Sequence, residues 1–405
     1  MRRTLENWKE PMKRTGLKTF LLASAVSALS LSAAQAVEAL DAAERLKGIL
    51  AEQQTQLTYE SADVDGDDVV LRGAKLSFEE SDDPVELGDV LLEDVSEDAD
   101  GAYRIGRLYV ERAVQETDVT TVEMEEFEML GLILPKDSDS DPFAGVTRYD
   151  AVNIATIEAD LYDQDLLLVE NVTTRVTVDA DGAFRNVTEV ESFNINLMAL
   201  DDKDDDEEFV DMLQEIDYDD ITGSMQMTGL WNPSDGRFAL TKFEIAMEEV
   251  GALNLTTDLS GYTPDFIRSL RAIVAESDGD TQGSDMGMAA LGLMQQLMFH
   301  GLSIRFDDGS VTGRLLNHIA DEQGVEPGVL IQAVRETVEN QLAPFTGNDF
   351  AKSAAKAVGD FLDNPRNIEL AAKPATPVPF MMFAAAMAAP EMLIKQLGLT
   401  ITANQ

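Results

Sequence analysis

Apolar and polar residues alternate along the chain from residue 57 to about residue 261. Every second position from 221 to 229 is apolar or glycine, including Ile221, Met225 and Met227. The same period recurs at residues 172–178, 193–197 and 253–259. A period of two sends successive side chains to opposite faces of a strand, so these segments predict half-buried strands with one face toward solvent. We therefore expect a long antiparallel meander.

Asp-Gly pairs separate the predicted strands. They occur at residues 65–66, 100–101, 181–182, 235–236 and 308–309. Glycine permits the positive φ that short hairpin turns require, and aspartate bonds to the local backbone. The pairs are unevenly spaced, which argues against the fixed period of a solenoid or a propeller.

The period changes in the C-terminal part of the chain. After Pro327, which suits the first turn of a helix, apolar residues recur at helical spacing at positions 330, 334, 338 and 342. A second helical stripe runs from 350 to 362 and is followed by Asn364-Pro365. Short strand-like pieces lie at residues 302–306, 368–371 and 399–402. We predict an α+β fold in which a long antiparallel β-meander forms a curved sheet and a helix-rich C-terminal part docks on it.

Residues 1–36 predict a cleavable export signal. Basic residues at positions 13, 14 and 18 precede an apolar run that continues to Ala34-Gln35-Ala36, an A-x-A cleavage site. The run is shorter than the roughly 20 residues that span a bilayer. We expect cleavage after Ala36 and a periplasmic location. A retained membrane anchor is the alternative, and either Met1 or Met12 is the true start.

The remaining chain divides into two predicted regions. Residues 37–275 are β-rich, and residues 286–405 are helix-rich with short strands and are expected to pack on the first region. A polar stretch from 276 to 285 marks the predicted boundary.

The chain is strongly acidic, with a formal net charge of -46. Such a charge repels nucleic acid and anionic membrane, so we expect no nucleic-acid partner, whereas cationic partners and divalent ions remain compatible. No cysteine occurs, which excludes a lipoprotein cysteine, disulfides and thiolate metal sites. The apolar run at 380–389 is too short for a membrane span, so we expect no stable span after the leader is removed.

Two near-identical stretches, "EDADGAYR" at 97–104 and "VDADGAFR" at 178–185, raise the question of a calcium loop. In that register Asp179 and Asp181 take the third and fifth positions, but the twelfth position is Thr188 where the motif needs a glutamate. The flanks are strand-like where the motif needs helices. We therefore interpret both stretches as hairpin turns. Loose calcium binding at the acidic run 201–208 remains an alternative.

Catalytic motifs are absent from the sequence. The two histidines, His300 and His318, occur without H-E-x-x-H or H-x-H spacing, so we expect no metal site and no cofactor. There is no G-x-S-x-G elbow and no P-loop. Residues 353–356 match S-x-x-K, but the companion motifs S-D-N and K-T-G are missing. No catalytic residue is predicted. A carboxylate-based hydrolase stays open because 76 acidic residues make every spacing available.

Methionine-rich apolar segments suggest a ligand surface. A sheet with methionine and leucine on one face, together with apolar helices, would enclose an apolar groove, and methionine adapts to irregular apolar ligands. Ordinary core packing is the alternative. The candidate ligand-binding residues are Met225, Met227, Met294, Met298, Met381 and Phe383.

The leader, the amphipathic hairpins with Asp-Gly turns, the segment Leu259-Ser260-Gly261 and the C-terminal mixture of helix and short strand occur together. In this outline the chain is similar to uncharacterised exported proteins of Gram-negative bacteria, and it loosely resembles the YdgA-like and AsmA-like groups. The AsmA-like resemblance implies envelope lipid handling through a curved β-groove. That group usually keeps an N-terminal membrane helix, and this chain departs from it there.

These observations lead to three functional hypotheses. The first is a soluble periplasmic, non-enzymatic protein that binds an apolar, lipid-like ligand or an envelope partner. The second is an acidic structural or assembly factor of the envelope that holds cationic partners. The third is the carboxylate-based hydrolase.

Overall fold

The computed structural model describes residues 39–405, except residues 66, 79–80, 138–140, 201–206, 278–290 and 386–389. The predicted leader 1–36, its cleavage site and both candidate start residues lie outside the described residues. So do most of the predicted boundary 276–285 and most of the acidic run 201–208. The chain divides into two compact units, one running to Lys136 and including Val146–Asp150, the other comprising Asp137–Gly145 and Ala151–Gln405.

The first unit contains one helix and six strands among its described residues. These are α1 (Ala39–Glu52), β1 (Thr55–Thr58), β2 (Ser61–Asp65), β3 (Asp68–Phe78), β4 (Ser81–Glu97), β5 (Tyr103–Glu116) and β6 (Thr120–Leu134). All pairings are antiparallel, in the order β1-β3-β4-β5-β6, and β2 pairs with β3. Leu71, Leu92 and Ile105 are fully buried in this sheet, and Ala42 and Ala43 of α1 are equally buried.

The second unit contains the remaining strands and helices. The strands are β7 (Ala151–Leu161), β8 (Gln164–Val178), β9 (Phe184–Asn196), β10 (Asp220–Asn232), β11 (Arg237–Met247), β12 (Gly251–Ser260), β13 (Met298–Asp308), β14 (Asn367–Ala372), β15 (Val378–Pro379) and β16 (Leu399–Ala403). The helices are α2 (Glu207–Glu215), α3 (Pro264–Ser277), α4 (Val311–Gln323), α5 (Pro327–Thr346), α6 (Asn348–Asp363), α7 (Met381–Ala385) and α8 (Pro390–Leu397).

The sheet of the second unit runs in the order β7 to β14 and then β16, with β15 paired to β13, and every pairing is antiparallel. Strands of the predicted β-rich region and strands of the predicted helix-rich region therefore share one sheet. The two helical stripes predicted from the sequence fall in α5 and α6, and the three short strand-like pieces fall in β13, β14 and β16. The prediction of an α+β fold with a long antiparallel meander and C-terminal helices is confirmed.

The two "DADGA" stretches form hairpin turns, one between β4 and β5 and the other between β8 and β9. Gly101 and Gly182 have φ values of 79° and 84°, a left-handed conformation that glycine adopts readily. In the second turn the Asp179 carboxylate accepts a bond from Arg185 at 2.9 Å, and the Asp181 carboxylate accepts one from the Ala183 amide at 3.2 Å. The hairpin interpretation is confirmed, and these carboxylates are engaged within the turn.

Candidate functional site

A row of polar side chains runs across nine strands of the second unit, from β7 to β16. Directly opposite residues of an antiparallel pair lie on the same face of the sheet, so the strand registers place nine side chains on one face. In strand order they are Asn153, Thr173, Glu189, Gln226, Glu244, Asn254, Arg305, Glu369 and Thr402.

On each of these strands, one residue next to the member of the polar row is apolar, and it lies on the opposite face. In strand order these residues are Ile154, Val172, Val190, Met225, Ile245, Leu253, Phe306, Ile368 and Ala403. The alternation seen in the sequence is thus kept in register over nine strands, and it separates a polar face from an apolar one.

Packed clusters close the apolar face at both ends of its strands. At one end Leu197, Ile216 and Tyr218 are buried, and Val311 and Leu315 of α4 pack against them together with Ile221 of β10. At the other end Phe299, Ala372, Val378 and Leu397 are buried, and Phe383 of α7 and Leu393 of α8 pack against them. The ring of Phe361 on α6 meets Phe306 edge-on with centroids 6.4 Å apart.

Between these clusters the apolar face remains partly exposed on strands β10 to β13. Seven large side chains lie there, and none of them is buried. They are Met225, Met227, Phe243, Ile245, Leu253, Leu255 and Ile304, which we call the open apolar face. Ile304 is 38% exposed. Four strands spaced at about 4.8 Å give this surface a width of about 14 Å.

The structure separates the six predicted ligand-binding residues. Met225 and Met227 lie on the open apolar face. Phe383 belongs to the closed cluster, with its ring centroid 5.5 Å from that of Phe299. Met298 precedes Phe299 on β13 and therefore faces the other side of the sheet. Met294 lies in the helical residues 291–294 and is 45% exposed, and Met381 is the first residue of α7.

Five residues of the open apolar face are not among the six candidates that the sequence predicts. They are Phe243, Ile245, Leu253, Leu255 and Ile304. Each lies in a segment whose alternation is visible in the sequence, so the period of two was a sufficient signal. Residue type alone does not indicate which side chains share this surface, because position on the strand decides which face a side chain occupies.

On the polar face an open depression of about 450 Å³ contains three acidic residues, Glu244, Asp307 and Glu369. The Arg305 guanidinium donates to both carboxylate oxygens of Asp307, at 2.6 to 3.0 Å. Ser303 donates to Glu369 at 2.8 Å, and this bond lowers the pKa of Glu369. The lowered pKa favours the ionised form of Glu369, whereas the proton-donating acid of a carboxylate hydrolase has a raised pKa.

Metal-ligand geometry occurs at one place among the described residues. Glu215, His318 and Glu322 bring three donor atoms within 4.8 Å of one another. The sequence predicted no metal site, and it did not indicate that Glu215 would approach His318.

No helix within the described residues is both long enough and apolar enough to cross a bilayer. Within the apolar run at 380–389, residues 381–385 form α7.

A family model described only as an uncharacterized protein matches residues 244–404. No curated protein matches the chain. The matched region begins in β11 and runs through β16, so it contains Ile245, Leu253, Leu255 and Ile304 of the open apolar face and the helices from α3 to α8.

Proposed function

We propose that this protein is an exported, periplasmic, non-enzymatic protein that binds a lipid-like ligand on the open apolar face. One observation carries the proposal: seven large apolar side chains lie side by side on four strands, and all of them stay partly exposed between two closed clusters.

Exposed apolar surface of this kind favours the binding of an apolar molecule. Covering apolar area is favourable by about 25 cal/mol per Å², and contiguous exposed apolar patches mark binding sites more often than scattered residues do. Met225 and Met227 sit at the edge of this face, where their flexible side chains adapt to the shape of an occupant.

The width of the face favours an acyl chain. One leaflet of a bilayer supplies about 15 Å of hydrocarbon, half of the ~30 Å core, and the face spans about 14 Å across four strands. The net charge of -46 disfavours an anionic headgroup, so a neutral or zwitterionic lipid is the expected ligand class.

Lipid mass spectrometry of protein purified without detergent tests this proposal. We expect a lipid with an uncharged or zwitterionic headgroup to co-purify, and a fluorescent neutral acyl lipid to bind the delipidated protein. Met227→Glu places a charge on the open apolar face and should weaken probe binding at least tenfold. Gln226→Glu adds the same charge on the opposite face of the same strand and should leave binding unchanged.

Two results would contradict the lipid-binding proposal. One is protein that carries no lipid and binds no probe. The other is an equal loss of binding in Met227→Glu and Gln226→Glu, because that would show a general effect of charge and not a site on one face.

Export is tested separately. N-terminal sequencing of the protein recovered from the periplasmic fraction of a Gram-negative host should begin at Val37. A chain that keeps its N-terminus and sediments with membranes would support the retained anchor.

A second candidate function uses the polar face. Glu189, Glu244 and Glu369 of the polar row, together with the net charge of -46, suit an assembly factor that holds cationic partners. Pull-down from envelope extracts at low and high salt distinguishes it, because a partner held by exposed charge is released as salt rises. Lipid binding on the apolar face would be insensitive to that change.

A further inference from the structure

Two helices of the second unit bring one imidazole nitrogen and two carboxylate oxygens together. Glu215 is the last residue of α2, and His318 and Glu322 lie on α4. The Nε2 atom of His318 is 3.0 Å from Oε2 of Glu215 and 3.8 Å from Oε2 of Glu322. All three donor atoms lie within 4.8 Å of one another.

Packing that does not involve these three residues holds the two helices in place. Ile216 and Tyr218, which follow α2, are buried against a cluster that includes Val311 and Leu315 of α4. Arg314 donates to the carbonyl oxygen of Ile216 at 3.3 Å. His318 and Glu322 are four residues apart on one helix, a spacing that places both on the same side. The three donors are therefore brought together by the fold and not only by their mutual attraction.

We propose that Glu215, His318 and Glu322 form a binding site for a divalent transition metal of the zinc class. In a tetrahedral zinc site with bonds of about 2.0–2.1 Å, neighbouring ligand atoms are about 3.3 Å apart. The two distances from His318 Nε2 lie on either side of that value, and the glutamate oxygens lie within 4.8 Å of each other, so rotations of the exposed glutamate side chains would bring the donors to that spacing. Three protein ligands leave the fourth position for water.

The donor set selects among metals. Calcium and magnesium prefer ligand sets made entirely of oxygen, whereas an imidazole nitrogen favours zinc and its neighbours in the first transition series. The His318 side chain is 19% exposed, while those of Glu215 and Glu322 are 60% and 64% exposed. An ion thus has access from solvent on the carboxylate side. Arg314, one turn before His318, is paired with Glu249 and so presents less free positive charge to the site.

A bound metal would tie α2 to α4 beside the cluster that closes one end of the open apolar face. Any ligand that binds the folded state alone stabilises it, so zinc should raise the melting temperature. The site stands on its own geometry and does not depend on lipid binding.

Calorimetric titration of the full chain with zinc, in the presence of excess calcium to occupy loose carboxylate sites, tests the proposal. We expect one equivalent of zinc to bind. His318→Ala and Glu215→Gln should each weaken that binding at least tenfold, whereas His300→Ala should leave it unchanged. His300 is the matched control because it is the other histidine of the chain and bonds to Ser260 at 2.8 Å near the start of β13, whereas α4 follows the end of that strand. Failure to bind zinc, or equal binding by wild type and His318→Ala, would overturn the site.

A second measurement avoids reliance on a variant that loses its fold. The chain has two histidines, so its imidazole NMR spectrum contains two sets of signals, which His300→Ala assigns. Zinc should shift the His318 signals and leave those of His300 in place. Movement of both sets, or of neither, would overturn the proposal.

Discussion

Thr174 on β8 and Thr188 on β9 lie directly opposite each other with their hydroxyl oxygens 2.9 Å apart, and both side chains are buried on the apolar face. Thr188 also donates to the side-chain oxygen of Asn186 at 3.0 Å. A hydroxyl has one proton, so Thr188 gives it to Asn186 and accepts the proton of Thr174. The two threonines therefore have unequal roles.

This inequality predicts unequal costs of replacement. Thr188→Val leaves the buried Thr174 hydroxyl without its acceptor and should lower the free energy of unfolding by about 1–3 kcal/mol. Thr174→Val leaves Thr188 bonded to Asn186 and should cost about 0.5–1.5 kcal/mol. The double variant should cost less than the sum of the two. Urea unfolding of the three variants measures this, and equal single costs that add up would refute the assignment of donors.

Replacing Gly223 or Gly229 on β10 with alanine should have opposite effects on stability. A Cβ at Gly223 would overlap the carbonyl oxygen of Ala246 and the ring of Phe193, whereas a Cβ at Gly229 meets nothing within 4 Å. Gly223→Ala should therefore destabilise the protein by about 1–3 kcal/mol. Gly229→Ala should be neutral or stabilise it by about 0.5 kcal/mol, since glycine is unfavourable within a strand. Thermal melting compares the pair, and equal shifts would contradict the packing around Phe193.

The sequence predicts which residues of a strand share a face, and so much of the open apolar face, but it does not predict how the strands pair. Alternation alone places Met225 and Met227 on one face of β10, and it places Leu253 and Leu255 on one face of β12. That Leu253 lies opposite Phe306 was not predictable, because β13 follows β12 only after a long intervening segment. The register follows from the requirement that the apolar residues of both strands lie on the same face of the sheet.

The approach of Glu215 to His318 and Glu322 was even less predictable from the sequence. The four-residue spacing of His318 and Glu322 is visible in the sequence once a helix is assumed there. Glu215 reaches them only because Ile216 and Tyr218 pack against α4. No local pattern carries that information, since it arises from tertiary packing between distant segments.

The bond between Tyr59 and Glu44 in the first unit predicts a loss of stability at alkaline pH. Its hydroxyl donates to Glu44 at 2.6 Å, and this bond, with burial and the nearby negative charge, raises the pKa of Tyr59 from 10.0 to about 12. A raised pKa means that this stabilisation is complete below the unfolded pKa of 10.0 and is lost as the pH rises through about 12. In a ¹³C NMR titration Tyr59 should ionise near 12, and Glu44→Gln should bring its pKa back toward 10.0. An unchanged value in Glu44→Gln would contradict the assigned cause.

The bond between Ser303 and Glu369 predicts a loss of stability at acidic pH. The bond from Ser303 is the largest cause of the lowered pKa of Glu369, and Lys373 and Arg305 add to it. A carboxylate with a lowered pKa stabilises the fold above its unfolded pKa, and that stability is lost as the pH falls through the folded pKa. Ser303→Ala should therefore reduce the free energy of unfolding by about 1 kcal/mol at neutral pH, and its difference from wild type should shrink on acidification.

The control for this prediction is the double variant Ser303→Ala/Glu369→Gln compared with Glu369→Gln alone. Without the ionisable group, the serine substitution should have the same effect at every pH. Urea unfolding at a series of pH values from neutral downward measures both differences. If Ser303→Ala shows the same pH dependence whether or not Glu369 is present, the effect belongs to another group and the bond does not set the pKa of Glu369.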